Sequence, residues 1–170
     1  PPHNDSREAG FAAFYAFEKL YQASSKEGKS LLNKRLIKSS LRYSDRFPSD
    51  PRLPGILLNT AENYYFLNDY LKTKEVARLL IANASTGPDI LQKAWVLMAH
   101  SAYEAGDFAQ AEEAYLKSIK GLSNNPEEHR KLIELLASSI YKQGETERSL
   151  GNHQQAALHF LRVGTSVPDS

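Results

Sequence analysis

The stretch Ala23-Ser24-Ser25-Lys26-Glu27-Gly28-Lys29-Ser30 comes nearest to a motif that does chemistry. It satisfies a relaxed phosphate-loop pattern, with Ala in place of the first glycine. A phosphate loop works because backbone N–H groups at the mouth of a helix wrap the phosphates, and this needs a buried strand before it. Here the preceding residues read as helix and no strand pattern follows, so nucleotide binding through residues 23–30 is a remote alternative. Five histidines are present, His3, His100, His129, His153 and His159. No two stand at a metal-ligand spacing with a third ligand, and His153 and His159, six residues apart, fall on different helix faces. No Gly-x-Ser-x-Gly elbow or Ser/His/Asp signature occurs. Asn4-Asp5-Ser6 and Asn83-Ala84-Ser85 match the short glycosylation sequon, which arises often by chance. No catalytic residue, metal or cofactor is expected, and the chain does not read as an enzyme.

Composition narrows the classes further. The 170 residues carry 21 Lys and Arg against 20 Asp and Glu, a net charge of +1, and no cysteine. Disulfides and Cys-ligated metal are excluded, while the compartment stays open. The balanced charge gives no support to non-specific nucleic-acid binding. No apolar run approaches the roughly 18 residues of a membrane span. The chain starts Pro1-Pro2-His3-Asn4, without an initiator Met or a signal segment, and reads as a processed protein or a piece of a longer one.

The elements that must position any site are helices. Alternating β-branched runs and Asn-Gly or Asp-Gly hairpin turns are missing. Eight helices are expected, over about 7–24, 30–46, 53–67, 70–84, 89–105, 108–121, 126–149 and 153–164. Asp5 with Glu8 and Asp89 with Gln92 have capping-box spacing. Asn125-Pro126-Glu127-Glu128 gives an N-cap, a proline at the first helical position and two acids at the positive end of the dipole. The links Asn68-Asp69, Gly106-Asp107 and Gly151-Asn152 are short enough to make neighbouring helices antiparallel. The turn near Ser24–Lys29 is longer, with Gly28 ending a loop. Phe11, Phe14, Tyr15, Phe17, Leu20 and Tyr21 spread around more than one face of the first helix, which predicts packing on two sides.

Aligning the three short turns exposes a repeat. Asn68-Asp69-Tyr70, Gly106-Asp107-Phe108 and Gly151-Asn152-His153 share a small-or-Asn, polar, aromatic pattern. Thr73, Ala111 and Ala156 follow at one spacing, then Ala77, Tyr115 and Phe160, then Leu80, Ser118 and Val163. Leu57, Trp95 and Ile140 precede the turns, with Ala61, Ala99 and Gly144 four residues on. Small residues let paired helices approach and large ones fill the space around them. This pattern resembles the tetratricopeptide repeat, with Ala94-Trp95, Ala99, Gly106-Asp107-Phe108, Ala111, Tyr115 and Ser118 as the best copy. The resemblance covers about 53–170 and reaches weakly into 7–46. Turn-to-turn spacings of 38 and 45 exceed the family's 34, and the second predicts an unusually long helix over 126–149. The family's closing proline corresponds to Pro168.

The resemblance implies an all-α, right-handed superhelical stack of antiparallel pairs, 7–46, 53–84, 89–121 and 126–164, in a single repeat domain within a longer array. It also implies a concave groove lined by the first helix of each pair. The groove residues would be Leu58, Glu62 and Tyr65; Lys93, Val96, His100 and Tyr103; and Tyr141, Glu145 and Arg148. Tyrosines there suit peptide recognition, offering rigid apolar area and a hydroxyl. Relatives that grip a C-terminal carboxylate use a Lys/Asn/Arg set, of which Asn59 and Lys93 match loosely, while Leu58, Val96 and Tyr141 take a Lys position. The expected function is therefore a non-catalytic module for a protein or peptide partner, with a spacer or self-association segment as the alternative. Nucleic acid and direct membrane insertion are not expected. The loose spacing, charge balance and lack of cysteine resemble bacterial cell-envelope repeat proteins, with a cytoplasmic adaptor as the other reading.

Overall fold

The structure, a computed structural model, describes residues 4–120 and 125–166 and, of residues 4, 5, 26, 27 and 30, the backbone alone. Among the described residues the fold is all-α, with eight helices and no strand: α1 (Asn4–Ala23), α2 (Lys26–Arg46), α3 (Leu53–Phe66), α4 (Tyr70–Ala82), α5 (Pro88–Glu104), α6 (Phe108–Lys120), α7 (Pro126–Ser149) and α8 (His153–Ser166). The chain divides into two compact units, one up to Gly87 and one from Pro88 onward. In each unit every helix packs on the next in sequence. No described helix is long and apolar enough to cross a membrane.

Local chemistry explains the boundaries. Asn125 caps α7 through its side chain, which accepts from the Glu128 N–H at 3.2 Å, and Pro126 opens the helix. α7 runs 24 residues, the long helix that the wide spacing predicts. Three starts differ from expectation. α2 begins at Lys26, because Ser25 acts as its N-cap, so Gly28 lies in the first helical turn and does not end a loop. α5 opens on Pro88, which moves Asp89 from the cap into the first turn, where its charge still meets the helix dipole. α1 already includes Asn4, so Asp5 is not the cap, and the Asp5 side chain lies outside the described residues. His3 and Pro168 also lie outside them.

The three aligned turns share one hydrogen-bond pattern. Asn68, Gly106 and Gly151 have φ of 58°, 78° and 82°, the positive values among the described residues. Asp69 N–H donates to Tyr64 O at 3.0 Å and Asn68 N–H to Tyr65 O at 2.9 Å. Asp107 donates to Ala102 at 2.9 Å and Gly106 to Tyr103 at 3.0 Å; Asn152 donates to Glu147 at 2.9 Å and Gly151 to Arg148 at 3.1 Å. Each is a Schellman ending, whose left-handed residue favours Gly or Asn. The next helix then opens alike, Thr73, Ala111 and Ala156 donating to Asp69, Asp107 and Asn152 at 2.9, 3.0 and 3.0 Å.

Burial follows the same register. Ala61, Ala99, Thr73 and Ala111 are wholly buried, Ala156 is 3% exposed, and Gly144 is buried. In the α7–α8 pair even a methyl group forces a shift, since a Cβ on Gly144 would stand 2.6 Å from Phe160 Cε1. Leu57, Leu80, Tyr115 and Ile140 fill the surrounding core. In the first unit a polar lock holds three helices. Arg52 at the start of α3 donates to Glu8 of α1 at 3.0 and 2.9 Å and to Asp50 at 3.0 and 2.9 Å. Its guanidinium lies 4.2 Å from the Phe11 ring centroid. Phe11 and Phe14 pack toward the α1–α2 seam, whereas Tyr15 and Leu20 stay about half exposed.

Candidate functional site

The expected face divides between the two units, and each part has its own geometry. On α3, Leu58 is buried and belongs to the core, while Glu62 is exposed. Tyr65 is half-buried, its ring 5.7 Å from that of Tyr70, the first residue of α4.

In the second unit the residues on α5 and α7 meet. Tyr103 packs its ring 5.3 Å from Phe108, the counterpart of the Tyr65–Tyr70 pair. Its hydroxyl lies 2.8 Å from Ser138 Oγ on α7. One turn along α7, Tyr141 is 44% exposed and lies 5.3 Å ring to ring from Phe160 of α8. Lys142 Nζ donates to Glu145 Oε2 at 2.9 Å, and Arg148 donates to Glu145 Oε1 at 3.3 Å. Hydrogen bonding to Glu145 raises the Lys142 ammonium, and the Tyr103 and Tyr141 hydroxyls add to this. Hydrogen bonding to Lys142 lowers the Glu145 carboxyl, with Arg148 and Tyr141 contributing. Tyr103, Tyr141, Glu145 and Arg148 thus form one connected patch. Ser138 and Lys142, which join it, were not among the expected residues. Tyr103 and Ser138 are 35 positions apart, so no local pattern in the sequence marks the contact.

The remaining expected residues differ in role. Lys93 is exposed and Val96 half-buried on α5. His100 is turned into its own helix pair, with Nδ1 2.7 Å from the hydroxyl of the wholly buried Tyr115. Burial lowers its pKa, partly opposed by Glu104, which favours a neutral ring holding Tyr115 in place. Chemically, the patch offers rigid aromatic surface, hydroxyls and charges of both signs, which suits polar and apolar contacts to a peptide.

Residues 23–30 join two helices, and among the described residues no strand precedes them. Ser24 Oγ donates back to Leu20 O at 2.6 Å, and Lys29 Nζ lies 5.5 Å from the Tyr21 ring centroid. The side chains of Lys26, Glu27 and Ser30 lie outside the described residues. Among the described residues, no three His, Asp or Glu side chains gather as a metal site requires. Comparison with protein-family models and with curated proteins finds no match for this chain.

Proposed function

We propose that this chain is a non-catalytic interaction module, a tetratricopeptide-repeat-like stack of helix pairs wound as a right-handed superhelix. Its partner is a peptide or protein segment held on the face formed by Lys93, Val96, Tyr103, Tyr141, Glu145 and Arg148. The observation that carries the reading is the threefold recurrence of one turn, the same hydrogen bonds at Asn68, Gly106 and Gly151 with small residues buried at matching positions. Such stacking makes a rigid scaffold whose outward side chains are free to vary with the partner. The connected patch around Tyr103 and Tyr141 is where this scaffold presents aromatic surface with adjacent charge.

The test is peptide selection from a displayed random library with the whole chain as bait, followed by affinity measurement on variants. Tyr141→Ala and Arg148→Glu should weaken a selected peptide by about tenfold or more, the loss typical of an interface anchor. Tyr103→Phe should weaken it less, since the ring on Phe108 is kept. Selected peptides that bind all three variants as tightly as the parent chain would refute the reading.

A second reading, a spacer or self-association segment, draws on the outer face of α8. Leu158 and Leu161 are 51% and 71% exposed there. Light scattering across a concentration series tests it: a mass that rises with concentration and falls back in Leu161→Glu supports self-association, and a constant monomer mass excludes it.

A further inference from the structure

A cavity of about 480 Å³ opens along the seam between α1 and α2, lined from α2 by Arg35, Lys38, Arg42 and Arg46. Their spacing of three, four and four residues places all four on one helix face, a row about 16 Å long. All four are exposed, and among the described residues none forms an ion pair. Among the described residues, no carboxylate lines the cavity. Three acids of this unit are engaged elsewhere: Glu8 and Asp50 bind Arg52, and Glu18 accepts from Asn59 at 3.3 Å.

The α1 wall is different in kind. Gly10, Ala13 and Phe17 line it at steps of three and four residues. Gly10 lets the Tyr43 and Phe47 rings pack close, 3.1 and 3.3 Å from where a Cβ would stand, and both rings line the cavity. The cavity therefore sets the α2 cations beside an apolar strip of Ala13, Phe17, Tyr43 and Phe47.

From this geometry we infer that the α1–α2 seam binds an extended acidic peptide segment in which Asp or Glu alternates with small apolar residues. An extended chain turns successive side chains to opposite sides and advances about 3.3 Å per residue. About five residues cover the row, with alternate acids against the α2 cations and the residues between them against Ala13, Phe17 and the Tyr43 and Phe47 rings. Charge complementarity selects the partner. The unit up to Gly87 holds 13 basic and 9 acidic residues, whereas the unit from Pro88 holds 8 and 11. The excess is concentrated in this single narrow row. A membrane or nucleic-acid duplex would need a broad basic face, and Asp45 on α2 and Glu8 on α1 interrupt any wider field here. This inference concerns a surface other than the α5–α7 patch and stands whether or not that patch binds a peptide.

The experiment uses the whole chain and a fluorescein-labelled heptapeptide, Glu-Ala-Glu-Leu-Glu-Ala-Glu, read by fluorescence anisotropy at low salt. A peptide with Lys in place of Glu, a single-stranded oligothymidylate and vesicles containing phosphatidylserine serve as comparisons. The acidic peptide should bind at least about tenfold more tightly than the Lys peptide, with affinity falling as salt rises. The double variant Lys38→Glu/Arg42→Glu, altered only at exposed side chains, should lose that binding and gain the Lys peptide. Ala13→Trp, which fills the apolar side without changing charge, should also weaken the acidic peptide. Acidic-peptide binding unchanged in either variant, no binding by the parent chain, or stronger binding of the oligonucleotide or vesicles would overturn the inference.

Discussion

The Tyr43 hydroxyl donates to Asp50 Oδ2 at 2.6 Å, joining α2 to the link before α3, and the Asp50 side chain is 1% exposed. Asp50 also accepts from the Arg52 backbone N–H at 2.8 Å and from its guanidinium. A carboxylate buried this deeply stays ionised because each of its oxygens is matched by a donor. Asp50→Asn should therefore cost about 2–3 kcal/mol and Tyr43→Phe about 1–2 kcal/mol, measured by urea unfolding. The larger loss belongs to Asp50 because its removal also takes from Arg52 its buried carboxylate, leaving Glu8 as the acid it binds, with the Tyr43 hydroxyl and the Phe11 ring beside it.

The same lock sets an acid limit. Arg52, with Tyr43 assisting, holds the Asp50 carboxyl well below the ordinary carboxylate range. Its folded-state pKa lies below the unfolded value, so its stabilisation is complete above about pH 5 and is lost as the pH falls through the carboxylate range and below. Burial, and then the hydrogen bond to Asp50, push the Tyr43 hydroxyl up to about 12. That contribution has the opposite sign: it is present below about pH 10 and is lost as the pH rises toward 12. Unfolding free energy measured against pH should fall at both ends, and Asp50→Asn should flatten the acid arm.

The repeated turns make a different prediction. Gly106 and Gly151 take positive φ with open space around the missing Cβ, so an alanine there is opposed by backbone conformation alone. Gly106→Ala and Gly151→Ala should each cost about 1–2 kcal/mol. Asn68→Gly should be close to neutral, and Asn68→Ala should be destabilising. Thermal melts of the four variants check the set.

Gly144→Ala fails for a steric reason. The new methyl would stand 2.6 Å from Phe160 Cε1 in the α7–α8 contact. A cost of about 1–3 kcal/mol is expected, and Phe160→Leu in the same chain should recover part of it.

These positions also show what a sequence makes legible. The turns at Asn68, Gly106 and Gly151 could be read because left-handed backbone admits few residue types, and Gly144 because a helix contact leaves room for little else. The long α7 followed from the turn-to-turn spacing. The start of α2 lies earlier than Gly28 suggests, because the Ser25 cap admits a glycine in the first helical turn. The Glu8–Arg52 pair could not be read, since its members are 44 positions apart and each is ordinary in its own segment. His100 sits at a position expected to face outward, yet a buried partner, Tyr115, draws its ring inward. The cationic row on α2 was not among the expected site residues, because the α1 residues that share its cavity lie in another segment of the sequence.

Peptide binding on the α5–α7 face is measured most directly by backbone amide chemical-shift mapping of the labelled chain titrated with a library-selected peptide. Perturbations should centre on Val96, Tyr103, Tyr141, Glu145 and Arg148. Perturbations centred on the outer faces of α6 and α8, around Leu116, Leu158 and Leu161, would contradict it.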